Sequence, residues 1–156
     1  MIKEIIIVTA LGAGCYFIGN KIGESLPPEK ATEIVNNHKE AYKNITATKI
    51  WAKNTLVSSL LTAPIIGAGI GSIALGVKGL ERGAYTVIGE QKPLHPVSAS
   101  LESVVMILAG AEGIRNTETL VKKEVFDTER TLKTVGVSSA LLVPAAIIEE
   151  KEVSAG

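Results

Sequence analysis

The stretch Thr55–Val77, TLVSSLLTAPIIGAGIGSIALGV, decides the fold class. It runs for 23 residues without a charge, and about 20 apolar residues suffice for a helix to cross a hydrocarbon core of ~30 Å. Pro64 predicts a kink within it. Gly67 and Gly71 form a Gly-x-x-x-Gly pair, extended by Ala63 four residues earlier, which marks a surface where another helix can approach closely.

Three further apolar runs flank this one. Ile5–Gly19, IIIVTALGAGCYFIG, competes with a signal peptide, whose apolar region spans ~7–15 residues. The leading MIKE is barely basic and no A-x-A-like site follows, so the run is expected to be a retained membrane helix. Leu94–Gly113, LHPVSASLESVVMILAGAEG, is the least regular, with His95 and Glu102 inside it and Glu112 at its end. It suits either a full crossing that faces the bundle interior or a re-entrant dip. Leu132–Ile148 is short, contains Pro144, and is closed by Glu149 and Glu150. The expected architecture is therefore an all-α integral membrane bundle forming a single domain over residues 1–156. Its apolar segments lie at about 5–19, 55–77, 94–113 and 132–148.

Between the first two segments, Pro27-Pro28 breaks the chain and residues 29–53 are polar but periodic. Ala31, Ile34, Val35, His38, Ala41, Tyr42 and Ile45 recur every three or four residues, as on an amphipathic helix. Such a helix can lie at the membrane surface or pack on a partner. Lys49, Trp51 and Lys53 resemble an interfacial anchor. Residues 115–133 read as a charged helical hairpin in solvent.

Composition agrees with this segregation. Mean hydropathy is +0.31, 46% of residues are hydrophobic, only 4% are aromatic and 15 are glycine, so small residues rather than rings fill the helix contacts. Sixteen basic residues balance sixteen acidic ones, which leaves no electrostatic footprint for nucleic acid. With four crossings, the loops at 20–53 and 114–133 carry 11 of the basic residues, placing them in the cytoplasm and both termini outside. The lone Cys15 reads as a small apolar packing residue.

The polar residues inside apolar runs are the candidates for function. A charged carboxylate at mid-bilayer costs roughly 2.5–3.5 kcal/mol on insertion scales, so Glu102 should face a cavity or a partner. His95 lies seven residues earlier, on nearly the same helical face. Together they suggest a protonatable pair; the structural alternative is a buried bond from Glu102 to Asn54, Lys78 or Arg82. Only His38 could join His95 at a metal, and no zinc-like spacing exists, so neither metal nor cofactor is expected. The glycine-rich GAGIGSIALGVKG fails both nucleotide patterns: Val77 intervenes before Lys78, and Ser72 stands where a third glycine is needed. No G-x-S-x-G or HExxH occurs, and one carboxylate with one distant histidine makes a thin catalytic set, so no enzyme is expected. Asn44-Ile45-Thr46 is a formal glycosylation sequon of a kind that arises often by chance.

Residues 50–150 resemble, loosely, the stage II sporulation protein M family of multi-span membrane proteins. The resemblance lies in Trp51 to Asn54, the span that follows, and the glycine turn Gly79-Leu80-Glu81-Arg82-Gly83. It continues in His95-Pro96, in Leu101-Glu102 with Gly110 and Gly113, and in Ala145-Ala146-Ile147-Ile148-Glu149. The family's Pro-His-Gly element appears reversed here, and Lys78 stands where asparagine is usual. The resemblance implies a multi-span, non-enzymatic membrane protein, and the leading expectation is a multi-pass protein of the cell membrane, in contact with the bilayer, that acts as a scaffold or assembly partner. Gly79 and Gly83 join Gly67 and Gly71 as helix-packing positions, with a homo-oligomer or another membrane protein as partner. The rival reading is a transporter- or channel-like protein using Glu102 and His95.

Overall fold

The computed structural model describes residues 2–43, 45–93 and 95–155. Among the described residues there are six helices and no strand: α1 (Ile2–Glu24), α2 (Pro28–Tyr42), α3 (Ala47–Leu61), α4 (Ile66–Val87), α5 (Pro96–Val121) and α6 (Thr128–Ala155). Three of them, α1, α5 and α6, are long and apolar enough to cross a membrane. The chain is thus all-helical with three membrane-length apolar helices. Asn44 of the sequon lies outside the described residues, as does Leu94 at the start of the third apolar run.

The uncharged stretch 55–77 is not one helix. α3 stops at Leu61 and α4 starts at Ile66, with a turn between them. Proline lacks an amide hydrogen and its ring crowds the carbonyl four residues back, so Pro64 ends the helix here instead of kinking it. Ile65 then adopts a left-handed backbone, φ 68°, which a β-branched residue rarely tolerates. Other parts of the chain satisfy the freed backbone groups: Asn116 donates to the Thr62 carbonyl (2.8 Å), and the Ile65 amide donates to the Thr117 hydroxyl (2.7 Å). A Cβ on Gly67 would collide with the Leu61 carbonyl, so Gly67 lets the chain double back. Where four apolar segments were expected, three helices among the described residues are long and apolar enough to cross a membrane.

Other boundaries shift as well. The expected helix over 29–53 is two helices, with Thr46 capping the second by accepting from the Lys49 amide (3.4 Å). α5 continues without a break past Gly113 to Val121, a full crossing's length and not a dip and return. The expected solvent hairpin shrinks to the turn between α5 and α6. There Lys123 (φ 56°) closes α5, and the Asp127 carboxylate caps α6 by accepting from the Arg130 amide (2.9 Å).

The chain forms two compact units. The first comprises residues 1–9, 46–71 and 95–156 and is built on α3, α5 and α6 packed against one another. Its interior is lined by small and aliphatic residues: Val105, Ala109 and Ala111 of α5, Ile50 and Leu61 of α3, and Leu142, Ala145 and Ala146 of α6. At Gly113 a Cβ would strike the Leu61 carbonyl, so the α5 and α3 backbones nearly touch.

The second unit comprises residues 10–45 and 72–94. Here α1 and α4 run parallel along a glycine seam. A Cβ on Gly19 would strike the Gly76 carbonyl, one on Gly79 the Tyr16 carbonyl, and one on Gly83 the Asn20 carbonyl. The amphipathic α2 then lays Ala31 and Val35 against Ala84 and Tyr85, with Leu26, Ile34, Val87 and Ile88 around them.

Candidate functional site

The interior of the first unit is unusually polar for apolar helices. Ser58 and Thr62 of α3 and the adjoining turn, Ser98, Glu102, Glu112 and Asn116 of α5, and Ser138 and Glu149 of α6 are all buried. In hydrocarbon each such group needs a partner, because no water is present to replace one. The partners fall into two groups, one toward each end of the α5–α6 hairpin.

At the end near the turn, the Glu112 carboxylate accepts from Arg130 Nε (2.9 Å) and from the Thr131 hydroxyl (3.0 Å). Arg130 Nη2 also donates to Asn116 Oδ1 (3.2 Å), while Asn116 Nδ2 reaches both the Thr62 carbonyl and Thr131 Oγ1. One charged pair, one amide and one hydroxyl therefore join α5, α6 and the α3–α4 turn. Sequence reasoning missed this cluster because Arg130 and Thr131 fell in the stretch assigned to solvent. The signal was there: Glu112 and Asn116 are one helical turn apart, and Arg130 and Thr131 open the next helix.

At the other end, Asn54 Nδ2 donates to Glu102 Oε1, joining α3 to α5. His95 is the N-cap residue of α5, ahead of its first helical turn, and Pro96 takes the first helical position. The His95 Nδ1 lies 3.9 Å from Glu152 Oε2, and Ser98 Oγ donates to that same oxygen (2.7 Å). The structure thus pairs Glu102 with Asn54 and His95 with Glu152. His95 lies just ahead of the helix that carries Glu102. Trp51, expected as an interfacial anchor, donates its indole N–H to the Ser139 carbonyl (3.1 Å) midway along α6.

Of the expected packing glycines, Gly67 and Gly71 lie against Leu61, with a Gly71 Cβ falling 2.8 Å from Leu61 Cδ2. Gly79 and Gly83 belong to the seam with α1. The pair read from the uncharged stretch thus serves its own hairpin, and the pair from the glycine turn serves a neighbouring helix.

The second unit holds a separate polar cluster. His38 of α2 places Nδ1 3.2 Å from the Tyr85 hydroxyl and Nε2 3.6 Å from Glu81 Oε2, and Lys92 is paired to the same Glu81 oxygen. Burial pushes the Tyr85 phenol above its usual pKa, opposed by the Lys39 charge and helped by Glu90 and Glu81. A hydrogen bond to Glu90 raises the Lys39 ammonium. Tyr85 is only 1% exposed, so this cluster fastens α2 to α4.

Among the described residues no group of three or more His, Cys, Asp or Glu side chains converges as a metal cage would require. Comparison with protein-family models, with curated proteins and with solved structures finds no match for this chain.

Proposed function

We propose that the protein is a non-enzymatic, multi-pass protein of the cell membrane that acts as a scaffold or assembly partner, as the resemblance to the stage II sporulation protein M family implies. The observation that carries this reading is the use made of the buried polar side chains. Asn54 is tied to Glu102, and Arg130 to Glu112 and Asn116, each across two helices. Polar groups spent in this way fix which helices pack together, the best-attested use of buried polar contacts. They give a rigid bundle rather than a set of groups facing a substrate.

Assembly then uses the outward faces. In the second unit Cys15, Ile18 and Ile22 of α1 and Ile73, Val77 and Leu80 of α4 line an open apolar groove beside the glycine seam. Ile18, Ile22, Ile73 and Val77 are exposed. An apolar helix of a second copy or of another membrane protein packs on such a surface through van der Waals contact. Single-molecule photobleaching in liposomes at rising dilution tests this. Wild-type protein is expected as dimers or larger species, and filling the groove with Ile73→Trp and Val77→Trp is expected to give monomers. A wild-type protein that is monomeric at every dilution refutes self-association, and unchanged assembly in the filled variant refutes this surface.

A further inference from the structure

The α3–α4 turn carries a strained residue whose cost is not offset within the chain. Ile65 takes a left-handed backbone, φ 68°, where glycine or asparagine fits easily and a β-branched side chain does not. Pro64 and the bond to Thr117 hold the backbone there, but neither calls for isoleucine at this position. Packing does not call for it either: Ile65 is 66% exposed, and Ile66 beside it is exposed too.

The turn is fixed against α5, because the Ile65 amide donates to the Thr117 hydroxyl (2.7 Å). Leu120 and Val121 follow Thr117 by three and four residues, so they share its face of α5, and both are exposed. Just beyond them, in the turn to α6, Val125 and Phe126 are exposed as well, Val125 to 94%. Two turns of the first unit therefore bring six exposed apolar side chains to one end of it, interleaved in sequence with Glu118, Lys122, Lys123 and Glu124.

The membrane-length helices reach the same end. α5 arrives there at Val121 and α6 departs at Thr128. Lys3, in the first turn of α1, pairs with Glu118 (2.9 Å), which sets the start of α1 level with the last turn of α5. Helix length gives the depth. α5 has 26 residues and α6 has 28, so they are about 39 and 42 Å long. A hydrocarbon core of ~30 Å in a bilayer of ~40–45 Å leaves the ends of such helices in the headgroup layers. That layer suits this surface. Isoleucine, leucine, valine and phenylalanine side chains reach the acyl chains, while lysine ammonium groups stay with the phosphates. Bulk water would leave the strain at Ile65 without an offset, and hydrocarbon alone would leave Lys122 and Lys123 unsolvated.

We propose that the α3–α4 and α5–α6 turns form an interfacial anchor that binds a phospholipid surface. Ile65, Ile66, Leu120, Val121, Val125 and Phe126 enter the boundary between headgroups and acyl chains, and Lys122 and Lys123 meet the phosphates. The inference rests on the membrane reading above and is independent of the scaffold role.

The test uses the full-length protein in liposomes of phosphatidylcholine and phosphatidylglycerol, with Cys15→Ser to remove the native thiol. A nitroxide is attached through Val121→Cys, Val125→Cys or, midway along α6, Val143→Cys. Power-saturation electron paramagnetic resonance compares the access of oxygen and of a water-soluble nickel chelate to each label. The labels at 121 and 125 are expected at the headgroup–acyl boundary, and the label at 143 near the bilayer centre. Ile65→Asn keeps a left-handed backbone and removes the apolar side chain. It is expected to shift the label at 121 outward to water while raising the resistance to unfolding in micelles. Labels at 121 and 125 in bulk water, with 143 inside the bilayer, overturn the anchor and leave the membrane reading standing. A label at 143 in water overturns both. Sites at 121 and 125 shut to both reagents overturn the lipid surface in favour of a second copy of the chain. A label at 121 that Ile65→Asn does not move overturns the part given to Ile65.

Discussion

Replacing Arg130 by methionine tests the buried cluster at the α5–α6 end most directly. The Glu112 side chain is only 2% exposed and accepts from Arg130 Nε and from the Thr131 hydroxyl. The Arg130→Met change keeps the aliphatic stem and the backbone bond to Asp127, and removes only the guanidinium. Glu112 is then a buried carboxylate with a single hydroxyl donor from this cluster, and Asn116 Oδ1 loses its charged partner. Breaking a fully buried pair from one side costs about 3–5 kcal/mol. Arg130 is 30% exposed, so water reaches part of the site and about 2–4 kcal/mol is expected. The converse Glu112→Gln should cost only about 1–2 kcal/mol, because Arg130 keeps Asn116 and the nearby Asp127 carboxylate. The double variant should recover much of the loss, giving a coupling energy above ~1 kcal/mol. Reversible unfolding in mixed micelles, read by far-UV circular dichroism, supplies all four corners of the cycle. Additive single effects, or a loss below ~0.5 kcal/mol for Arg130→Met, would show that Glu112 is not held by Arg130.

Four further outcomes follow from local geometry. Gly79→Ala and Gly83→Ala should each cost about 1–3 kcal/mol, since a Cβ at either site meets a backbone carbonyl of α1 that cannot swing away. Gly14→Ala, with nothing within 4 Å of the added carbon, should be neutral or mildly stabilising in the same unfolding assay. Ile65→Gly should stabilise by up to ~1 kcal/mol despite losing a large side chain, because Ile65 is 66% exposed and its φ of 68° suits glycine. Tyr85 should ionise above the usual tyrosine pKa, as a late phase in a spectrophotometric titration at about 295 nm that Tyr85→Phe removes. A folded-state pKa above the unfolded one means its stabilising contribution is intact below pH ~10. That contribution is lost as pH rises through the folded value, so α2 should loosen from α4 at high pH. A titration whose high-pH end is unchanged by Tyr85→Phe would refute the buried placement.

How much of this was legible in the sequence turned on whether a signal is local or needs a partner. The all-helical, apolar character was local: long runs of Ile, Leu, Val, Gly and Ala leave no alternating pattern for a strand. Pro64 and Pro144 show where local reading stops. Each sits inside an apolar run, yet α6 passes through Pro144 while the chain breaks at Pro64. The difference lies largely outside the run, in Asn116 and Thr117 one helix away, which receive the backbone groups that the break sets free; within it, Gly67 lets the chain return. No count of uncharged residues carries that information. The same holds for the carboxylates. Glu102 stood out because apolar residues surround it in sequence, whereas Glu112 and Glu149 sat at the ends of their apolar segments. A helix end in sequence is not an end in space when the neighbouring helix extends beyond it. α5 runs to Val121 and α6 to Ala155, so Glu112 and Glu149 both lie within the packed length of the hairpin. The packed interior is longer than the apolar runs: Asn116 and Glu149 lie beyond them and are buried nonetheless.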